Sequence, residues 1–424
     1  MIPAAEFGRG YVGPADSIFG LGRDASASLT HGFFLGAVLF PYLQIVPTGT
    51  DVQPIALCLA VLLLVFSHRW LGAPKELWLL GFLFVVAIFV FLAGDIAFEA
   101  VRSVGNYASL FLISLASYCC ARNIRKLTLR LLIVAIWTWF FVGVVQSLVY
   151  DEFLYQMLPD VRRSSTRGVV ALAPEPGYYA TMCLFFLLVL FLYNRERSIH
   201  GFLCVVQITL LARSTLFTVI LALAMLLYGV IHLSAKKMLT VVAILLGGWG
   251  VATQTDFFDN TRIGDLTKLA IVKPLALTKL DLSISDRVAH LVFSLKGAVD
   301  NHLLPNGFTS WGNYYHSETL SNHEYFLDYY PDPYPKRIQS GIGAPFYELG
   351  FFGAIQIWVL IAGIRHRFRS LRTSSAAVFG TSLALCLLPG TPIATPIYGF
   401  IVGHLFAFQE QSSPTEAPGE LGAK

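Results

Sequence analysis

The chain has 424 residues, 55% of them hydrophobic and only 13% charged, against about 25% charged in ordinary soluble domains. Its apolar residues come in runs of about 18 to 22, which excludes a soluble enzyme and predicts a polytopic membrane protein. The net charge of +4, with lysines and arginines in short clusters and no single basic face, excludes nucleic acid as a partner.

Residues 1–28 are polar and glycine-rich and read as a cytoplasmic N-terminal segment with no cleavable signal peptide. Windows of about 19 residues then predict about twelve spans, at 30–48, 52–68, 76–94, 103–121, 129–149, 177–193, 199–212, 214–233, 238–253, 346–364, 375–390 and 393–409. Only helices satisfy their own backbone in lipid without closing a barrel, so the predicted class is all-α. The organisation is membrane helices one to nine over 29–253, a large loop at 254–345, helices ten to twelve over 346–409, and a tail at 410–424. The six cysteines, Cys58, Cys119, Cys120, Cys183, Cys204 and Cys386, fall inside the apolar runs, which implies neither a disulfide framework nor a zinc site.

Cation clusters at Arg69/Lys75, Arg122/Arg125/Lys126/Arg130, Arg195/Arg197, Lys236/Lys237 and Arg365/Arg367/Arg369/Arg372 occupy every second connection. The positive-inside rule makes those connections cytoplasmic, along with both termini. The long connections at 150–176 and 254–345 then face outward, and the second is large enough to form a partly helical cap.

The arginines that break this rule are informative. Arg162, Arg163 and Arg167 lie in the first long outer loop, Arg213 interrupts an apolar stretch, and Arg287 begins an apparent helix at about 284–299 in the large loop. An arginine near the membrane usually faces a cavity and an anionic partner, and its planar fork grips phosphate oxygens in pairs. The bland alternative for Arg162 and Arg163 is snorkelling to lipid phosphate or pairing with Asp151, Glu152 and Asp160. Asp286 reads equally well as a salt-bridge partner of Arg287. Between Phe308 and Tyr334, the rings of Trp311, Tyr314, Tyr315 and Tyr325 are interleaved with His316, His323, Glu318 and Glu324. That mixture fits glycan binding, an interfacial aromatic belt, or the core of a small cap.

No Walker-type loop, His-Glu-x-x-His or Gly-x-Ser-x-Gly arrangement occurs, which speaks against an ATP-driven machine and the simplest hydrolases. A transporter of a lipid-linked or anionic solute is the principal alternative to an enzyme, but the longest outer loop falls late in the chain, without two related halves.

Four stretches carry a family resemblance. They are Arg167-Gly-Val-Val-Ala-Leu with Glu175-Pro176-Gly177; Leu210-Leu-Ala-Arg213-Ser-Thr; Ser285-Asp-Arg287 with Pro305-Asn-Gly307-Phe; and Gln339-Ser340 followed by Gly350 and Gly353. In this order and layout the chain resembles the O-antigen polymerase and O-antigen ligase superfamily of bacterial envelopes, whose polymerases are of the Wzy type. The resemblance implies a metal-independent, cofactor-free glycosyltransferase in the bacterial inner membrane with a periplasmic active site. Its donor would be an undecaprenyl-pyrophosphate-linked oligosaccharide, its acceptor a lipid-linked repeat unit, and its partners membrane lipids and a chain-length regulator protein. Ligases of this group typically carry histidine where this chain has Gln339, which favours a polymerase over a ligase.

On this reading Arg287, Arg213 and Arg167, with Arg163, neutralise the departing pyrophosphate. Glu175, His323 and Glu324 are the candidate bases, and Trp311, Tyr314, Tyr315 and Tyr325 the candidate glycan platform.

Overall fold

A computed structural model describes residues 20–45, 52–66, 68–162, 168–232, 273, 277–280, 282–326, 337–369, 373–388 and 390–407. The described residues are helical, with no strand among them. In chain order the helices are α1 (Gly20–Leu39), α2 (Ile55–Phe66), α3 (Lys75–Ala93), α4 (Phe98–Asn123), α5 (Arg125–Leu148), α6 (Pro176–Leu192), α7 (Ile199–Val206) and α8 (Thr215–His232). After a four-residue helix at Leu277–Leu280 come α9 (Leu282–Asp300), α10 (Trp311–Ser321), α11 (Gly343–Leu349), α12 (Ala354–Arg367), α13 (Thr373–Leu387) and α14 (Pro396–Ala407).

Among the described residues, four helical stretches are long and apolar enough to cross a membrane: Lys75–Ala93, Phe98–Arg122, Arg125–Leu148 and Gly343–Arg367. Shorter apolar helices correspond to most of the other predicted spans. Large apolar side chains such as Phe66, Phe82, Phe89, Leu92 and Phe141 point out of the bundle, as they do where the surrounding solvent is hydrocarbon. The predicted span 238–253, the segments 1–19 and 408–424, and much of 254–345 lie outside the described residues.

Two helix boundaries differ from expectation. The first helix begins at Gly20 and ends at Leu39, because Ala, Leu and Arg sustain helix through its polar start and Pro41 cannot continue it. The span predicted at 346–364 is split into α11 and α12 by a 3-10 turn, Gly350–Gly353. Gly350 sits at φ +63°, and a Cβ there would strike the backbone of Leu303 and Leu304. That is a conformation and a close approach suited to glycine.

The nearly fully buried α6 and α14 form the centre of the bundle. Gly399 and Gly403 let α14 lie directly on α4, where added methyls would meet Ile113 and the Ser114 carbonyl, a small-xxx-small contact of the kind that joins membrane helices. α7 finishes in a π-helical turn, Gln207–Leu211, in which the Ala212 N–H donates to the Gln207 carbonyl at 2.8 Å. Gln207 is buried and accepts the Tyr179 hydroxyl at 3.1 Å.

The ends of α6 differ in charge environment. At its C-terminal end, Arg367 donates to the Leu192 carbonyl and the Arg125 guanidinium lies 5.5 Å from the Tyr193 ring centroid. At its N-terminal end stands Glu175, about 26 Å away for 17 helical residues. Around that second end a separate core gathers α9, α10 and the start of α11: Ala289, Phe293, Trp311, Tyr315, Phe326, Ile338, Ala344 and Tyr347.

Candidate functional site

Glu175 occupies the cap position before α6, with extended backbone (φ −148°, ψ 157°) and Pro176 opening the helix. Its carboxylate does not cap the helix. It reaches α9 instead, where Oε1 accepts from Arg287 Nη2 at 3.2 Å, joining residues 112 positions apart. Both side chains are largely withdrawn from solvent, with 12% of Arg287 and 18% of Glu175 exposed. The Arg287 guanidinium lies 5.8 Å from the Phe217 ring centroid on α8, within cation–π range.

Two glycines make room for this guanidinium. A Cβ on Gly177 would stand 2.6 Å from Nη2, and one on Gly390 2.9 Å from Nη1. Nη1 is buried and has no hydrogen-bond partner among the described residues. A buried donor left unsatisfied costs about 1–3 kcal/mol, more when charged, so this nitrogen marks a place for an acceptor that the described residues do not supply.

The residue before Arg287 ties α9 to α10. Asp286 Oδ1 accepts from the Tyr315 hydroxyl at 3.1 Å and lies 3.4 Å from His290 Nε2. The Gln339 backbone N–H donates to His290 Nδ1 at 3.3 Å, so Nε2 is the ring nitrogen that faces Asp286. The His290 ring is wholly buried and stacked on Trp311 and Tyr315 at 5.4 and 4.9 Å. Burial alone would raise the Asp286 carboxyl, but His290, Tyr315 and Arg287 together outweigh it and hold it below the ordinary aspartate value.

The other predicted residues are placed differently. Arg213 is exposed at φ +47°, its Nε donating to the Leu210 carbonyl at 3.3 Å, and Phe217, four residues on, underlies Arg287. The chain just after Arg167 joins the same neighbourhood, since the Val169 N–H bonds the Leu211 carbonyl at 2.9 Å. Arg163 and Arg167 themselves lie outside the described residues. Arg162 is exposed, 6.0 Å from the Tyr178 ring centroid.

His323 and Glu324 are exposed in the turn after α10, and His323 bonds only the local Leu320 carbonyl among the described residues. Neither is hydrogen-bonded or ion-paired to Arg287 or Glu175. The aromatic platform divides: Trp311 (2% exposed) and Tyr315 (0%) are core residues with no ring face open to a sugar. Tyr314 is half-buried and donates to Asp300, and only Tyr325 stands exposed. The buried pair is explained by helical spacing, since Trp311, Tyr315 and Thr319 form the inner stripe of α10.

Sequence reasoning passed over His290, Arg102 and Arg337. The last two line a cavity of about 300 Å³ that also borders Tyr178 and Thr395. The repeated polar spacing along α4 was the available signal. No protein-family model and no curated protein sequence matches the chain.

Proposed function

We propose that the protein is a polysaccharide polymerase of the bacterial inner membrane, acting on O-antigen or exopolysaccharide units. It transfers a glycan from an undecaprenyl-pyrophosphate donor to a lipid-linked repeat-unit acceptor. In this reading the chain has twelve spans and cytoplasmic termini, and α9 and α10 belong to a periplasmic cap. The observation that carries it is the Glu175–Arg287 pair at the cap end of the bundle, with a guanidinium nitrogen that has no acceptor among the described residues. The opposite placement of Arg125 and Arg367 supports the orientation, because cations favour the cytoplasmic side.

The chemistry follows from where charge develops. The acceptor hydroxyl attacks the anomeric carbon as its bond to the pyrophosphate oxygen breaks, so negative charge grows on the leaving group. Arg287 is fixed before the reaction by Glu175, Phe217 and the two glycines, and a donor held in advance lowers the barrier without reorganising. Arg213 at the exposed rim, with Arg163 and Arg167 in the adjoining loop, adds positive potential for the same phosphates. Glu175 orients Arg287 through Oε1, and its other oxygen is the best-placed candidate to accept the hydroxyl proton. His323 and Glu324 remain alternatives that require the turn after α10 to approach the substrate.

The test is incubation of purified protein in detergent with lipid-linked repeat units. A ladder of lengthened glycans is expected, and unchanged substrate rejects the reading.

A further inference from the structure

The cavity beside the Glu175–Arg287 site has a construction of its own. One wall is a single face of α4, where Arg102, Gly105, Asn106 and Ser109 follow at i, i+3, i+4 and i+7. A polar stripe on a helix apolar enough to span a membrane faces either a partner or a cavity; here it faces a cavity. Arg337 contributes a second guanidinium-bearing side chain from the segment before α11.

Gly105 is the second observation. Glycine within a helix is unfavourable, yet a Cβ here would meet nothing within 4 Å. Packing does not require this glycine, and its effect is to leave the cavity wall open. The cavity also adjoins the first site on two sides. Tyr178 follows the Gly177 that flanks Arg287, and Pro392 to Pro396 continue the turn whose Gly390 touches the same guanidinium.

We propose that this cavity binds the diphosphate-sugar head of a second polyprenyl-linked chain, the acceptor, alongside the donor at Arg287. The identity of the occupant as acceptor rests on the polymerase reading, whereas the binding itself does not. Two arginines recognise the phosphates, and the Asn106 amide with the Ser109 and Thr395 hydroxyls can meet sugar hydroxyls. About 300 Å³ is the lower end of ligand-pocket volumes, room for a head group and not for a long glycan. The acceptor's growing end would therefore leave the cavity toward Tyr178 and Arg287.

The test is native mass spectrometry of the detergent-solubilised protein with undecaprenyl diphosphate. The unsubstituted protein should bind two equivalents. Arg102→Gln/Arg337→Gln should bind one, Gly105→Leu one, and Arg287→Gln one. Gly105→Leu improves helix propensity and fills empty space, so its loss of ligand is read on a folded protein, checked by thermal melting. A single equivalent on the unsubstituted protein, or two equivalents retained by both cavity variants, overturns the proposal. Inorganic pyrophosphate should compete for the cavity equivalent, and failure to do so removes the diphosphate assignment. Displacement by equimolar phosphatidylglycerol would make the site a general phospholipid site and overturn the acceptor role. Stoichiometry is read without turnover, so absence of a ladder would reject polymerisation while leaving the two-equivalent result standing.

Discussion

The bundle core and the smaller core of α9, α10 and α11 are built on opposite rules. The bundle places small residues where helices meet, as at Gly399 and Gly403, and turns Phe82, Phe89 and Phe141 outward. The smaller core does the reverse: Trp311, Tyr315, Tyr347 and His290 stack inside, while Lys296–Glu318 and Tyr314–Asp300 form polar contacts nearer solvent. The first pattern suits a hydrocarbon surround and the second water. Arg287 stands on the seam, on a helix of the second region but ion-paired to a helix start of the first. The contrast teaches that the site needs both regions docked, because neither alone holds the guanidinium.

The largest expected effect tests whether Trp311 is core or platform. Trp311→Ala should cost about 3–5 kcal/mol of local stability, seen as rapid proteolysis within 282–326 while the helical bundle stays intact. Unchanged proteolysis with weakened oligosaccharide binding would reverse the comparison. Next, Arg287→Ala should lower elongation by about 10²–10³-fold at normal membrane level, the scale of losing one preorganised charge-stabilising donor. Arg287→Lys should recover little if paired phosphate contacts matter; full activity of the lysine variant would reject the forked contact.

A smaller effect separates backbone from charge at Arg213. Its left-handed backbone costs a non-glycine residue about 1–2 kcal/mol, so Arg213→Gly should be as stable as the parent or slightly more so. Elongation should nevertheless fall, by about tenfold for a rim charge worth about 1.4 kcal/mol. Undiminished elongation would remove Arg213 from the site.

The smallest effect is a pH dependence. Because the folded Asp286 is held below its ordinary value, its contribution is present above the unfolded value of about 3.9 and is lost as pH falls through the folded one. Asp286→Asn should weaken the smaller core at neutral pH and flatten its loss of tryptophan fluorescence in acid below about 4. Parallel acid curves for the two proteins would show that Asp286 does not anchor α9.

Most of the helical framework was legible because runs of apolar residues report the solvent directly. Its interruptions were not: the break at Gly350 depends on the approach of Leu303 and Leu304 from another part of the chain. Arg287 and Glu175 could each be singled out as charges in unfavourable places, but their pairing across 112 positions has no local signature. For the aromatic residues of α10 composition left three readings open, and for Trp311 and Tyr315 the structure selects the core. Composition admitted a sugar platform, whereas the spacing of Trp311, Tyr315 and Thr319 already described a buried stripe. Arg102 escaped notice because it borders an apolar run, where a cation reads as a span boundary.

The π turn at Gln207–Leu211 carries one consequence for variation. Its wider winding accommodates more chain per rise than an α-helix does, so a one-residue deletion there could restore regular winding without shortening the apolar stretch appreciably. Side chains beyond the turn, Arg213 among them, would keep their directions, because the turn holds one residue more than an α-helical turn does. The turn is thus a place where the chain can lose a single residue without re-aiming the mouth of the site.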